Sequence, residues 1–300
     1  MPSDVFGTYR LVRRLGVGAS AEVWLASDSQ HGRTVVLKFA RPDYEEHGYR
    51  EMLLKEGRTL QMLDHPNVVR VYESGEEGAT AYLALEFVDG TELMTLLETA
   101  AARHERVPLP VGLRIAHELC LALSAAHTAI NENGRPLELV HRDVTPHNVM
   151  ISKRGEVKLL DFGIVKIPGL NQTRPGMIKG KTAYLAPEQA VDGKLDGRSD
   201  LFAVGLILYQ MLAGRPAYEG ATVTELYRAA VEARVKSIFE SAPDLPSEVR
   251  QLVTRSLEKN PDRRFQTAEG FAEALKACGA MANALSVSQW RAALAVPGEP

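Results

Sequence analysis

The chain has 300 residues, 45% of them hydrophobic, and a formal net charge of −3. That is enough apolar material for one large domain or two lobes sharing a cleft, and it provides no bulk basic field to favour nucleic acid or a charged membrane surface. Cys120 and Cys278 stand in apolar, helical-looking stretches without metal-ligand spacing, the N-terminus carries no secretory apolar region, and the longest apolar run, Leu201 to Leu208, is too short to cross a bilayer. These features lead us to expect a soluble, cytoplasmic protein with no nucleic-acid partner and no membrane insertion.

Tyr9 to Leu15 and Glu22 to Ala26 have strand character, separated by Gly16-Val17-Gly18-Ala19-Ser20-Ala21-Glu22-Val23. Glycines here allow a tight turn and a close approach to phosphate, although such a pair alone also describes an ordinary hairpin. Thr34 to Ala40 is a β-branched strand with one lysine, Lys38, which in isolation reads as a solvated surface charge. Tyr49 to Leu63 places Leu53, Leu60 and Leu63 at helical spacing, weakened by Gly57. Val68 to Tyr72 and Ala79 to Leu85 read as strands flanking a turn at Gly75 to Gly78.

Past Gly90 the periodicity becomes helical. Pro110 to Ala129 carries Val111, Ile115, Leu119, Leu123 and Ala126 on one face, and Pro110 suits a helix start. His127 on that helix reads as a core or surface histidine. Asn131 to Leu137 is a polar turn-rich insert. Then comes HRDVTPHNVMISKRGEVKLLDFG, from His141 to Gly163. Val149-Met150-Ile151 and Val157 to Leu160 read as short strands joined by Lys153-Arg154-Gly155. Such a hairpin brings Asn148 and Asp161 together at its open end, beside the carboxylate of Asp143, a grouping suited to a hard cation.

From Asp161 to Ala186 the punctuation by Pro168, Gly169, Pro175, Gly176 and Gly180 argues for a loop. Asp200 to Leu212 is apolar nearly all round and therefore predicts a buried helix, with Ser199 or Asp200 suited to its start. Thr222-x-x-Glu225 is a capping box. Ser247 and Thr267 are expected to cap two further helices, the last ended by Gly279. Val287, Trp290 and Leu294 recur at helical spacing, so a short helix is expected to dock near the C-terminal end, before a Pro-Gly-Glu-Pro tail.

The catalytic-looking stretch, HRD followed by Asn148 and Asp161-Phe162-Gly163, resembles the motifs of the eukaryotic-like (Hanks-type) serine/threonine protein kinases of bacterial type. The resemblance runs from about Tyr9 to Cys278. It implies an α+β, bilobal fold: a small β-rich N-lobe with one regulatory helix over 1–89, a larger, mainly helical C-lobe over 90–279, and a C-terminal extension or linker over 280–300. It implies ATP and Mg²⁺ (or Mn²⁺) as cofactors and protein substrates with Ser or Thr acceptors, with a role in signal transduction and a dimer as the route to autophosphorylation in trans. Asp143 would accept the hydroxyl proton, and Asn148 and Asp161 would hold the metal. Leu15, Gly16, Gly18, Ala21 and Val23 would cover the nucleotide, with Ala21 standing where the family has its third glycine. Val36 and Met150 would line the adenine site, and Lys38 would meet the α- and β-phosphates and pair with a helix glutamate. That glutamate is Glu56, with Glu51 as runner-up; either also reads as an ordinary surface carboxylate. Glu86 and Val88 would offer hinge backbone groups behind the gatekeeper Leu85. Asp200 would grip the catalytic-loop backbone, and Arg264 would pair with Glu188.

The chain departs from the family at one contact. Thr145 stands where the catalytic loop normally has lysine, and Lys181 where the segment before Ala186-Pro187-Glu188 normally has threonine. The two residues have exchanged places, so Lys181 is expected to reach the γ-phosphate and Thr145 to bond Asp143; the alternative is an exposed Lys181 and a tolerated gap at Thr145. Arg142 is expected to receive a phosphate on Thr173, or otherwise to anchor the loop. Two rivals to the active kinase remain: a catalytically weak, pseudokinase-like scaffold, which the presence of Lys38, Asp143, Asn148 and Asp161 disfavours, and a small-molecule phosphotransferase, which usually lacks the Ala-Pro-Glu platform.

Overall fold

The computed structural model describes residues 5–18, 21–41, 48–78, 80–162, 180–191, 193 and 195–294, which fall into two units divided between Val88 and Asp89. In the first, β-branched and aromatic alternation builds a six-stranded antiparallel sheet in the order β1-β2-β3-β4-β6-β5. Its strands are β1 (Val5–Phe6), β2 (Tyr9–Val17), β3 (Ala21–Asp28), β4 (Arg33–Ala40), β5 (Val71–Glu77) and β6 (Thr80–Glu86).

Period-two alternation sorts the side chains onto two faces. Val35, Leu37 and Phe39 of β4 join Phe6, Tyr9, Ala26, Tyr82 and Ala84 in one buried cluster. The opposite face receives helix α1 (Tyr49–Gln61), whose Tyr49 and Leu53 pack with Ala40, Ala81 and Leu83. The glycine that weakens α1 as a sequence is what lets it dock. A Cβ on Gly57 would lie 2.4 Å from Leu83 Cδ2 and 2.5 Å from Ser74 Cβ.

The second unit begins with β7 (Gly90–Glu92), which pairs with β8 (Val149–Ser152); β8 in turn pairs with β9 (Val157–Leu159). A Cβ on Gly90 would sit 2.2 Å from the Ile151 carbonyl oxygen, so the first contact of β7 with β8 requires glycine. Around this small sheet stand α2 (Leu93–Ala102), α3 (Leu109–His127), α4 (Pro187–Ala190), α5 (Gly197–Ala213), α6 (Val223–Glu232), α7 (Ile238–Ser241), α8 (Ser247–Ser256), α9 (Ala268–Ala277) and α10 (Ala284–Ala293). The expected all-round apolar helix is α5, buried at every residue from Ser199 to Tyr209. Beside it lies α3, which by length and composition is apolar enough to cross a membrane, contrary to the expectation that no such run exists. Its Leu113, Ile115, Leu119 and Leu123 are instead buried in the protein core. The carboxylate of Glu118, on the same helix, accepts the Val157 N–H at 3.3 Å and so ties the hairpin to α3.

Two expected caps are displaced. The N-cap of α5 is Asp196, which accepts the Arg198 N–H at 2.9 Å; Ser199 lies inside the helix and donates its hydroxyl to Glu188 at 2.7 Å. Ser247 is likewise inside α8, behind a Pro246 cap. The Thr222–Glu225 capping box and the Thr267 cap form as expected. The C-terminal helix α10 is part of the second unit. Val287 and Leu294 are buried, Ser288 donates to the Lys153 carbonyl at 2.6 Å, and Arg291 donates to Thr91 at 2.9 Å.

In an exposed helix, Gly→Ala gains about 1 kcal/mol from propensity. At position 57 overpacking against Leu83 and Ser74 is expected to dominate, so Gly57→Ala should lose ~1–3 kcal/mol. The urea unfolding midpoint measures the sign.

Candidate active site

The site is built upward from a buried carboxylate. Asp200, 1% exposed on α5, accepts the backbone N–H of His141 and of Arg142, both at 2.8 Å. His127 completes the set from the last turn of α3, its Nε2 lying 2.9 Å from the same carboxylate. Gly197 leaves room for that ring, since a Cβ there would lie 2.6 Å from His127 Nδ1. These bonds support a left-handed Arg142, with φ of 64°, a conformation that costs about 1–2 kcal/mol outside glycine. Gln189 of α4 donates to the Arg142 carbonyl at 2.9 Å and holds it from the other side.

His141 is fully buried, and burial pushes its pKa down even though Asp200 opposes the shift. As a neutral ring it donates from Nε2 to the Leu160 carbonyl at 2.8 Å and accepts the Asp143 N–H at Nδ1, 3.3 Å away. It also packs on Phe162, with ring centroids 4.5 Å apart. One imidazole therefore ties the loop carrying Asp143 to the strand end that leads into Asp161.

The hairpin performs the convergence expected of it. Val149 pairs with Leu159, and the Leu160 N–H donates to the Asn148 carbonyl at 2.8 Å, so Asn148 and Asp161 stand at the same open end. Asp161 has a φ of 39°. The Asn148 amide donates to the Asp143 carbonyl at 2.8 Å and to its carboxylate Oδ2 at 3.1 Å. With its N–H groups so engaged, Asn148 offers a carbonyl oxygen. Together with the Asp161 carboxylate this is a hard, all-oxygen donor set that fits Mg²⁺.

Lys181 also binds Asp143 Oδ2, at 2.7 Å, with its side chain 42% exposed. The expected Thr145–Asp143 hydrogen bond is not formed. Thr145 is extended (φ −138°, ψ 158°) ahead of the 3₁₀ turn Pro146–Asn148, which carries its side chain into the protein, 2% exposed, while Lys181 and Asn148 occupy Oδ2. The Thr145 hydroxyl is buried with no partner among the described residues, a condition that costs roughly 1–3 kcal/mol. Thr173 lies outside the described residues, as do Ala19 and Ser20 of the glycine stretch.

The sequence did not reveal one contact beside this cluster. His147 Nδ1 bonds Glu92 Oε1, raising the imidazole pKa against an opposing burial effect; Glu98 adds to the rise and Lys181 opposes it. Nothing in local spacing links residues 92 and 147. Farther out, Arg264 reaches both oxygens of Glu188, at 2.7 and 2.8 Å, as expected. Burial alone would raise the Glu188 pKa, but Arg264 and Ser199 hold it below the usual carboxylate range.

On the first unit the nucleotide candidates share one sheet. Gly16 pairs with Val23, Val23 with Lys38, and Val36 with Leu85. Gly18 N–H donates to the Ala21 carbonyl at 2.8 Å, closing the turn. Val23, Val36 and Lys38 alternate with the Leu37 and Phe39 core and so lie on the face that α1 covers. Glu56 of α1 is 7% exposed whereas Glu51 is exposed, which favours Glu56 as the buried partner. Leu15 is 39% exposed. At the end of β6 the Glu86 N–H donates to the Arg70 carbonyl at 2.9 Å, and the Glu86 carboxylate accepts the Arg70 N–H at 3.1 Å. Val88 is half-buried. On the second unit Met150 of β8 pairs with Glu92 and Lys158.

The family model described as the protein kinase domain matches residues 9–276. The tyrosine-protein kinase MasK of Myxococcus xanthus is 37% identical over 276 residues, covering 90% of this chain and 43% of that protein. The serine/threonine-protein kinase PrkC of Bacillus subtilis is 32% identical over 274 residues, covering 91% and 40%. PknA of Mycobacterium tuberculosis is 35% identical over 282 residues, covering 90% and 61%. The chain thus spans about two fifths to three fifths of the length of these curated relatives. The crystal structure of the Mycobacterium tuberculosis PknI kinase domain matches with a TM-score of 0.68 at 26% identity, covering 92% of this chain and 97% of that one.

Because the folded pKa of His147 is raised, the stability its pairing with Glu92 contributes is fully present below the ordinary value near 6.5 and is lost as pH rises through the higher folded value. The melting temperature of wild type minus that of His147→Gln should therefore shrink as pH rises from ~5.5 to ~9. A difference that grows with pH would contradict the charged pair.

Proposed function

We propose that this chain, which belongs to the protein kinase domain family, transfers the γ-phosphoryl group of ATP to Ser and Thr hydroxyls of proteins. The observation that carries the reading is the cluster in which Asp143 is held by Asn148 and Lys181 on a loop fixed to Asp200. Phosphoryl transfer needs little covalent help from the protein and depends on positioning and charge. Asp143 would orient the substrate hydroxyl and accept its proton. Asn148 and Asp161 would hold Mg²⁺, which when bound supplies positive charge to the phosphates. On the first unit Lys38 would take the α- and β-phosphates with Glu56 as its partner, beneath the turn of Gly16, Gly18 and Ala21.

Lys181 supplies the cation that Thr145 cannot. It is ion-paired with Asp143, and an incoming phosphate would compete for the same ammonium. Thr173, once phosphorylated by another copy of the chain, would draw its segment toward Arg142 as a bidentate ion pair. Dependence on ATP favours a cytoplasmic setting. A second reading concerns the acceptor: the relative at 37% identity is named a tyrosine-protein kinase, and the loop lysine that accompanies Ser/Thr transfer is here Thr145.

Incubation with Mg·ATP and a generic protein substrate, followed by phosphoamino-acid analysis, tests the reading. Phosphoserine and phosphothreonine are expected, with activity abolished in Asp143→Asn and Asp161→Asn. Phosphotyrosine would move the acceptor assignment, and an inactive wild type would favour the scaffold. For the exchanged lysine, Lys181→Ala should lower kcat by ~10²–10³, and Thr145→Lys combined with Lys181→Thr should recover most of it. A loss below about threefold would retire the role given to Lys181.

A further inference from the structure

The sheet that carries the metal-ligand candidates is small, with three residues in β7, four in β8 and three in β9. Asn148 leads directly into β8, and Leu160 joins β9 to Asp161. Strands this short specify little register of their own. Small hairpins are marginal in water, and a slip of one residue turns every side chain to the other face. The register must therefore be fixed from outside. Glu118 of α3 does part of this through the Val157 N–H.

Helix α10 meets the sheet at two places. At the hairpin turn, Gly155 has a φ of 81°, and a Cβ there would lie 1.8 Å from the Ala284 carbonyl oxygen and 2.8 Å from the Ser288 nitrogen. Backbone thus touches backbone, and Ser288 adds its 2.6 Å bond to the Lys153 carbonyl. Lys153 in turn donates its N–H to the carbonyl of Asp89, the first residue of the unit, and its ammonium to the Asp89 carboxylate, both at 2.8 Å. On the first strand, Arg291 donates to the Thr91 hydroxyl at 2.9 Å, the two residues being 9% and 4% exposed. Thr91 pairs with Ile151, and its neighbour Glu92, which holds His147, pairs with Met150.

The helix is itself anchored at both ends. The Ala282 N–H donates to the Pro110 carbonyl at 2.9 Å, and Arg103 donates to the Ala293 carbonyl at 2.9 Å. Asn283 caps the first turn by accepting the Ser286 N–H at 2.9 Å. With Val287 and Leu294 buried between these ends, α10 is a bar fixed to α2 and α3 that grips the sheet at its turn and on its first strand.

We infer that Ser288 and Arg291 of α10 are positioning residues for the metal site: they pin the register of the β7–β8–β9 sheet and so keep Asn148 and Asp161 at one open end. The inference deepens the kinase reading and takes from it only the identity of the metal nucleotide that these two residues serve. Loosening the grip should weaken metal binding before it unfolds the protein, because the Asp143 loop is held separately by Asp200 of α5.

Hydrogen exchange on Arg291→Ala, Thr91→Val and Ser288→Ala tests the grip without activity. The amides of Ile151, Val157 and Leu159 should exchange roughly five- to tenfold faster while those of α5 keep their wild-type protection. Thr91→Ser, which retains the hydroxyl, should stay near wild type. Mn²⁺ binding in the presence of ATP, read by electron paramagnetic resonance, should weaken about tenfold in the first three variants, the low end of what groups supporting a metal site are worth. It should be unchanged in Thr91→Ser and in Leu285→Ala, an exposed position on the same helix. In the transfer assay the same shift should appear as a raised KM for Mg²⁺ at near-constant kcat. A helix that only stabilised the fold would lower the melting temperature and leave that KM alone. Faster hairpin exchange with weaker Mn²⁺ binding supports the inference even if transfer were never seen, in which case the kinase reading alone fails. Unchanged hairpin exchange, or unchanged Mn²⁺ affinity, overturns the inference and leaves the kinase reading standing. A wild type that binds no Mn²⁺ with ATP overturns both.

Discussion

The second unit depends on the carboxylate of Asp200. A buried carboxylate is costly unless its lone pairs are satisfied; here two backbone N–H groups and an imidazole do so. The three donors come from different places, the end of α3 and two successive residues of the catalytic loop, while the acceptor sits on the most deeply buried helix. The loop's left-handed Arg142 and the placement of Asp143 follow from this anchor, while His141 is kept neutral by its own burial against the pull of Asp200. Asp200 therefore fixes the backbone of the loop that carries Asp143.

A second layer joins the Asp143 loop to the segment that begins at Gly180. Lys181 reaches Asp143, Gln189 reaches the Arg142 carbonyl, and Glu188 is locked by Arg264 and Ser199. The Arg264 pair is a strong, bidentate one, and it fixes the platform on which the weaker, half-exposed Lys181–Asp143 contact is presented. A surface ion pair alone contributes little to stability, so Lys181 adds little to holding the fold while it sets its charge beside Asp143.

In the first unit the same division between frame and site is made by the pleat. One face of the sheet is closed by an aromatic and aliphatic cluster around Phe39 and Tyr82, leaving the other to α1 and to Lys38. Gly57 shows how closely the helix must approach that face. A sequence reading based on helix propensity registers the glycine as a weakness because the requirement lies in its neighbours across space.

The sequence by itself indicated most strands of the first unit, the buried α5 and the residues expected to carry the chemistry. Alternation gave β2 to β6 and the hairpin strands, all-round apolarity gave the buried α5, and the spacing of Asn148, the Lys153–Gly155 turn and Asp161 brought two oxygen-bearing side chains to one hairpin end. Local patterns suffice there because the contacts lie within a few residues or follow from burial. Tertiary structure decided what depends on partners far along the chain. It turned Thr145 inward and gave Asp143 to Lys181, moved the cap of α5 from Ser199 to Asp196, paired His147 with Glu92, and used His127 as a donor to Asp200. Each outcome is set by which polar groups compete for one oxygen or one buried space, and that competition has no period in the sequence.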